Sequence, residues 1–233
     1  GPNDTAFYKD KNISLGMRRL AIIDLTHGLY PIKNEKGNLL VIFNGELYNY
    51  KEIKETLIKK GHKFVTECDG EIIPHAYEEY GINFLSKING MFAIAMYDTD
   101  TKKLFLMRDK LGEKPLYYYY DKTKNSFAFA SEIKCLLQIE DYKKSINKDA
   151  MNDYFTYRYT PGEETLFSGI KKLLPANYLV FGKELEIKKY WDFKFSYNNN
   201  SLEQNAQKIR TLLDDSVKAR LMSDVPLGAY LSG

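Results

Sequence analysis

The chain reads as an α+β domain on antiparallel sheet, with the opening of an α/β domain behind it. Strand-like runs dominate as far as Trp191 and follow one another as hairpins. Helices interrupt those runs without alternating with them. After residues 196–200 the pattern changes to one long helix and a short apolar run that ends in Ser232-Gly233. Consecutive hairpins build antiparallel sheet, whereas a βαβ series needs a helix after each strand.

The strand candidates are residues 18–24, 39–43, 92–97, 103–107, 116–120 and 126–130, each short, apolar or aromatic and bounded by Gly, Asn, Asp or Pro. Residues 98–102 and 121–125 read as the turns. A helix is expected over 48–60, with Ile53, Leu57 and Ile58 on one face and Gly61 as its stop. Asp69 reads as the cap of a helix over 70–80, with Pro74 confined to its first turn. Residues 148–159 form a further helix, and 166–191 return to strand with a turn at Gly182. The three consecutive asparagines at 198–200 mark a linker. Ser201-Leu202-Glu203-Gln204 is then a capping box. The helix it opens carries Leu202, Ala206, Ile209, Leu213, Val217 and Leu221 on one side. Residues 227–231 read as a strand, and a strand ending in Ser-Gly is how a phosphate-binding loop begins. One helix and one strand cannot bury a core, so we expect a first domain over 1–195 and, over 196–233, a linker and the truncated start of a second.

Composition narrows the function classes. Of 233 residues, 44% are hydrophobic and 28% charged, an ordinary globular balance, and the 19 Tyr and 13 Phe favour strand-rich packing. The net charge of +3 is spread without a Lys/Arg block, so nucleic acid is not an expected partner. No run approaches the roughly 18 apolar residues of a membrane span, and no signal peptide opens the chain. Cys68 and Cys135 lack metal-ligand or CxxC spacing and read as reduced thiols of a cytoplasmic protein, Cys135 as buried packing. His27, His62 and His75 are scattered, and no metal site is expected from them.

The most informative stretch is Phe43-Asn44-Gly45-Glu46-Leu47-Tyr48-Asn49. Asn-Gly after an apolar run is commonly a hairpin turn. A side-chain amide and a free backbone N–H at a strand end can instead hold a developing oxyanion. What stands around it decides. Met17-Arg18-Arg19-Leu20-Ala21-Ile22-Ile23-Asp24 precedes it, and Cys68-Asp69-Gly70-Glu71 follows. Further on come Arg108-Asp109-Lys110-Leu111-Gly112-Glu113-Lys114-Pro115-Leu116-Tyr117-Tyr118 and Phe129-Ala130-Ser131-Glu132-Ile133-Lys134. The chain closes on Ser223-Asp224-Val225-Pro226-Leu227-Gly228-Ala229-Tyr230-Leu231-Ser232-Gly233. Together, in order and spacing, these resemble the glutamine-hydrolysing asparagine synthetases over essentially the whole chain.

That resemblance implies a class II glutaminase domain of the N-terminal-nucleophile fold, a four-layer αββα sandwich with two antiparallel sheets between helices. A synthetase domain with a pyrophosphate loop would follow it. The implied substrates are L-glutamine, L-aspartate and ATP with Mg²⁺. Glutamine hydrolysis would supply ammonia, through an internal tunnel, to an aspartyl adenylate, giving asparagine, AMP, diphosphate and glutamate. A homodimer is compatible with the family. By motif, Arg19 would grip the glutamine α-carboxylate with its guanidinium fork. The backbone of Leu20, Ala21, Ile22 and Ile23 would line the same pocket. Asn44 and Gly45 would form the oxyanion hole, and Glu46 and Asp69 would pair with the α-ammonium. Taken singly, Arg19 could be an exposed strand arginine, Glu46 a solvated loop carboxylate and Asp69 a plain cap. As a set they make a zwitterion reader of one cation and two anions. Leu231, Ser232 and Gly233 match positions at the ATP loop, while the 108–118 segment reads as structural support.

The family's nucleophile is a cysteine at the mature N-terminus, with its own α-amine as base. This chain opens Gly1-Pro2-Asn3-Asp4, which matches a segment downstream of that cysteine, although a Gly-Pro start also fits a protease scar. Neither Cys68 nor Cys135 has an α-amine to activate it. The expectation is therefore that these residues alone neither hydrolyse glutamine nor make asparagine. Two rivals stand beside this reading: a related ATP-dependent amidotransferase with another carboxylate acceptor, and a non-catalytic glutamine-binding or docking module.

Overall fold

The apolar and aromatic runs at 39–43, 92–97, 103–107, 116–120 and 126–130 fall largely in strands with antiparallel neighbours. The structure, a computed structural model, describes residues 4–19, 24 and 30–231. In chain order the strands are β1 (Asp4–Lys9), β2 (Ser14–Arg19), β3 (Ile32–Lys33), β4 (Leu39–Leu47), β5 (Gly90–Asp98), β6 (Lys103–Arg108), β7 (Tyr117–Asp121), β8 (Ser126–Ala130), β9 (Ile170–Lys172), β10 (Asn177–Phe181) and β11 (Leu185–Lys189). The α-helices are α1 (Tyr50–Lys59), α2 (Ile72–Tyr80), α3 (Ile133–Leu136), α4 (Lys148–Tyr157) and α5 (Leu202–Arg220). The pairings shared by these strands are antiparallel, so the α+β class stands.

The chain divides into two compact units, one of Gly1–Ile42, Glu46–Gly90 and Phe193–Gly233, the other of Phe43–Gly45 and Met91–Asp192. In the first, β1 and β2 form a ribbon whose turn is closed by the Asp10 carboxylate, which accepts from the Asn12 and Ile13 amides. β3 lies against β4 with Ile32 opposite Val41. Leu39, Leu40, Val41 and Leu47 are buried there with Leu57 of α1, with Ile72 and Ile73 of α2, and with Phe84 and Leu85. Of the predicted α1 face only Leu57 is fully buried. Ile58 is 50% exposed, because its position falls on the solvent side of the turn before Gly61. Gly61 does end the helix, at φ +100°. In the second unit, β5, β6, β10 and β11 are successive neighbours, with register Ala95↔Leu106 and Leu179↔Leu106. β8, β7 and β9 make a separate three-stranded sheet. The turns predicted at 98–102 and 121–125 are formed, each by an aspartate (Asp98 and Asp121) that accepts from amides further along its own loop.

Several expectations are corrected. Of the two readings of Asn44-Gly45, the hairpin turn is the one excluded: β4 continues through both residues to Leu47. Asp69 does not cap a long helix. It opens a short 3-10 turn, Asp69–Glu71, and α2 begins only at Ile72, with Pro74 in the first turn where its missing N–H is harmless. Cys135 is exposed, since the four-residue α3 buries Leu136 instead. The capping box at Ser201 is present, but the α5 stripe has no cover among the described residues: Leu202, Ile209, Leu213, Val217 and Leu221 are all more than half exposed. Residues 227–231 form no strand, because a strand needs a ladder partner and no described strand supplies one.

Candidate active site

In the second unit, Gly45 is pressed against β5. A Cβ on Gly45 would stand 2.0 Å from the Met91 carbonyl oxygen and 2.8 Å from the Phe92 Cα, so any side chain there forces the strands apart. The requirement for glycine is therefore close backbone approach, not a turn. Beside it, the half-buried Asn44 donates from Nδ2 to Ser131 Oγ at 3.5 Å, just past the end of β8. That contact occupies one of the two amide hydrogens and sets the side-chain orientation. The strand against which Gly45 lies is itself held by Asp109. This carboxylate is fully buried and accepts from the backbone N–H of Phe92, Leu111, Glu113 and Lys114 at 2.9–3.2 Å. Arg108 donates to the carbonyls of Gly112, Lys114 and Leu173. Burial pulls its guanidinium pKa down from the usual arginine value. The 108–118 segment is structural, as its pattern suggested.

In the first unit, Asp69 is 4% exposed. Its Oδ2 accepts from the Leu47 N–H at 2.8 Å, and its Oδ1 from the Gly70 N–H at 3.0 Å and the Cys68 thiol at 3.6 Å. Burial raises its pKa to about 6 in spite of these hydrogen bonds, and the nearby Glu46 charge adds to the rise. The loop that delivers Asp69 is tied down by Glu71. This buried carboxylate accepts from the Val65 and Thr66 amides and from the Thr66 hydroxyl. A second tie runs through Asp24, which accepts from the Glu67 amide at 3.0 Å while its own N–H donates to Asp224 at 2.8 Å.

Of the predicted glutamine-site residues, Glu46 and Asp69 lie close together within the first unit; Asn44 and Gly45 precede Glu46 in the β4 sequence and belong to the second. Arg19 ends β2, opposite Asp4 in register; its side chain, like residues 20–23, lies outside the described residues. Ser232 and Gly233 lie outside them too. Leu231 is 97% exposed in a segment without regular structure.

Sequence reasoning missed three things. Ser131 and Glu71 sat inside quoted motifs without a role. His62 and His75 are not scattered in space: their ring centroids are 5.1 Å apart, and two carboxylates join them. The readable signal was His75 and Glu78, three apart on one helix face.

The family profile described as glutamine amidotransferase domain matches residues 1–191. This chain belongs to that family. A second profile, asparagine synthase, matches residues 208–233 of the amidotransferase chain. Glutamine-hydrolyzing asparagine synthetase 3 of Bacillus subtilis is 35% identical over 238 residues, covering 100% of this chain and 38% of that protein. Glutamine-hydrolyzing asparagine synthetase 2 of the same organism is 37% identical over 247 residues, covering 100% of this chain and 32% of the relative. The amidotransferase chain therefore spans about a third of the length of these relatives. Among solved structures, glutamine phosphoribosylpyrophosphate amidotransferase from B. subtilis superposes with a TM-score of 0.52 at 17% identity, covering 76% of this chain and 35% of that one. At that identity the likeness concerns fold alone, and it agrees with the sandwich expected from the sequence. No helix among the described residues is long and apolar enough to cross a membrane.

Proposed function

We propose that the amidotransferase domain hydrolyses L-glutamine and that the longer protein to which these residues belong delivers the ammonia to aspartate, as a cytoplasmic, ATP- and Mg²⁺-dependent asparagine synthetase. Residues 1–195 form the glutaminase part, and 196–233 the linker and start of the synthetase part. The observation that carries the reading is Asp69, a buried carboxylate hydrogen-bonded to the amide two residues beyond Gly45. It sits in a chain matched over residues 1–191 by the amidotransferase profile.

Each residue then has one task. Arg19 takes the α-carboxylate of glutamine, and Glu46 and Asp69 take its α-ammonium. A carboxylate has about four acceptor positions, so Asp69 retains capacity beyond the bonds to Leu47 and Gly70. A cysteine thiolate supplied upstream of Gly1 attacks the side-chain amide carbon. The oxyanion that forms is held by the Asn44 side chain and the Gly45 N–H. The C–N bond breaks, ammonia leaves with the proton that the cysteine's α-amine took from the thiol, and water hydrolyses the thioester to glutamate. Ser131 orients the Asn44 amide.

The test uses the protein with its N-terminal cysteine present. Arg19→Ala raises KM for glutamine with little change in kcat. Asn44→Ala lowers kcat by about 10²–10³-fold, the cost of one oxyanion donor. Negligible effects from both would refute the assignment.

A further inference from the structure

We propose that Glu35, His62, His75 and Glu78 form a structural site for a late first-row divalent cation, with zinc as the natural occupant. The four residues come from the β3–β4 turn, the loop after α1 and two positions of α2, all within the first unit. One ligand atom from each lies within 4.8 Å of every other.

The distances suit a shared ion. Four ligands at about 2.0–2.1 Å from tetrahedral zinc stand roughly 3.3 Å from one another. His75 Nδ1 is 3.0 Å from Glu35 Oε2, His62 Nδ1 is 3.4 Å from Glu35 Oε1, and His62 Nδ1 is 3.9 Å from Glu78 Oε2. His75 supplies an independent sign. It is 1% exposed, yet neither ring nitrogen makes a hydrogen bond. Its Nδ1 is within reach of a carboxylate, but the approach is not aligned as donor to acceptor. A cation between the His75 Nδ1 and the Glu35 carboxylate would satisfy both groups.

The outer contacts complete the arrangement. His62 Nε2 lies 3.3 Å from Glu79 Oε1, a carboxylate–histidine contact that turns the Nδ1 lone pair toward the cluster. Glu79 is held by Lys60, Glu35 by the Lys63 amide, and Glu78 by Lys36 at 3.5 Å. Phe64 packs on the His75 ring. Four protein ligands leave no open position, which marks a structural site and not a catalytic one. The ion would staple the β3–β4 turn onto α2 at His75, six residues after Asp69.

Chelator-stripped full-length protein, titrated with Zn²⁺ by calorimetry, should take up one equivalent. Co²⁺ should give the intense visible bands of tetrahedral coordination, and Mg²⁺ should give no heat. Saturating Zn²⁺ should raise Tm by about 5 °C or more. Glu78→Gln, a side chain 21% exposed, should keep the native circular dichroism and lose affinity about tenfold or more, as should His62→Gln. Glu79→Gln should lose about 10–100-fold. Absence of stoichiometric uptake would overturn the proposal. So would uptake unchanged in Glu78→Gln and His62→Gln, or uptake abolished by Cys68→Ser with Cys135→Ser.

Discussion

Asp69 and Asp109 are the same residue type at nearly the same burial, and they are not equivalent. Asp109 accepts from four backbone amides, those of Phe92, Leu111, Glu113 and Lys114. Asp69 accepts from two amides and a thiol, and burial lifts its pKa to about 6. The difference separates a carboxylate that four amides satisfy from one whose hydrogen bonds do not offset its burial. A bound α-ammonium would be drawn to the group that desolvation has left incompletely compensated.

Removing the saturated member should have the larger effect. Asp109→Ala strands the amides it now satisfies and should destabilise the protein by more than about 3 kcal/mol, seen as a large fall in the urea midpoint. A loss under 1 kcal/mol would erase the contrast. Asp69→Asn, which keeps one of the two acceptor oxygens, should lower the urea midpoint by less than Asp109→Ala and weaken glutamine binding by about 10–100-fold, the value of a charged hydrogen bond. Smallest is Ser131→Ala. It should lower kcat about fivefold with KM unchanged, roughly 1 kcal/mol of lost orientation at Asn44. An unaltered kcat would detach Ser131 from the site.

The sign of the pH effect follows from the direction of the Asp69 shift. Its folded pKa of about 6 stands above the usual 3.8. Between those values the folded state binds the proton and the unfolded chain does not. This group's contribution to stability therefore falls as pH rises through that window. Glutamine binding through Asp69 would run the opposite way, because only the ionised form pairs with an ammonium.

Local pattern made much of this legible. The hairpin strands were readable because period-two apolar runs end in turn residues, and β8 at Ser126–Ala130 matches its expected bounds. The capping box at Ser201 was readable for the same local reason. What failed was long-range. Asn44-Gly45 has turn chemistry, but pairing beyond it carries β4 on to Leu47, and the glycine is demanded by the Met91 carbonyl 46 residues later. Residues 227–231 have strand composition without a strand beside them among the described residues. Glu35, His62 and His75 converge only once α1 and α2 pack, and no spacing rule anticipates that. The roles proposed for Glu46 and Asp69 rest on their being members of a set, since each alone has an ordinary surface or capping explanation.

The most direct test measures glutamine affinity against pH, from 5 to 8, by calorimetry. It uses the protein carrying its upstream segment, with the N-terminal cysteine replaced by alanine to prevent turnover. The pairing of Asp69 with the α-ammonium predicts affinity that rises with pH and levels off above about 6, and an Asp69→Asn variant that binds weakly with no inflection there. The same inflection in Asp69→Asn, or affinity equal to wild type, would contradict it.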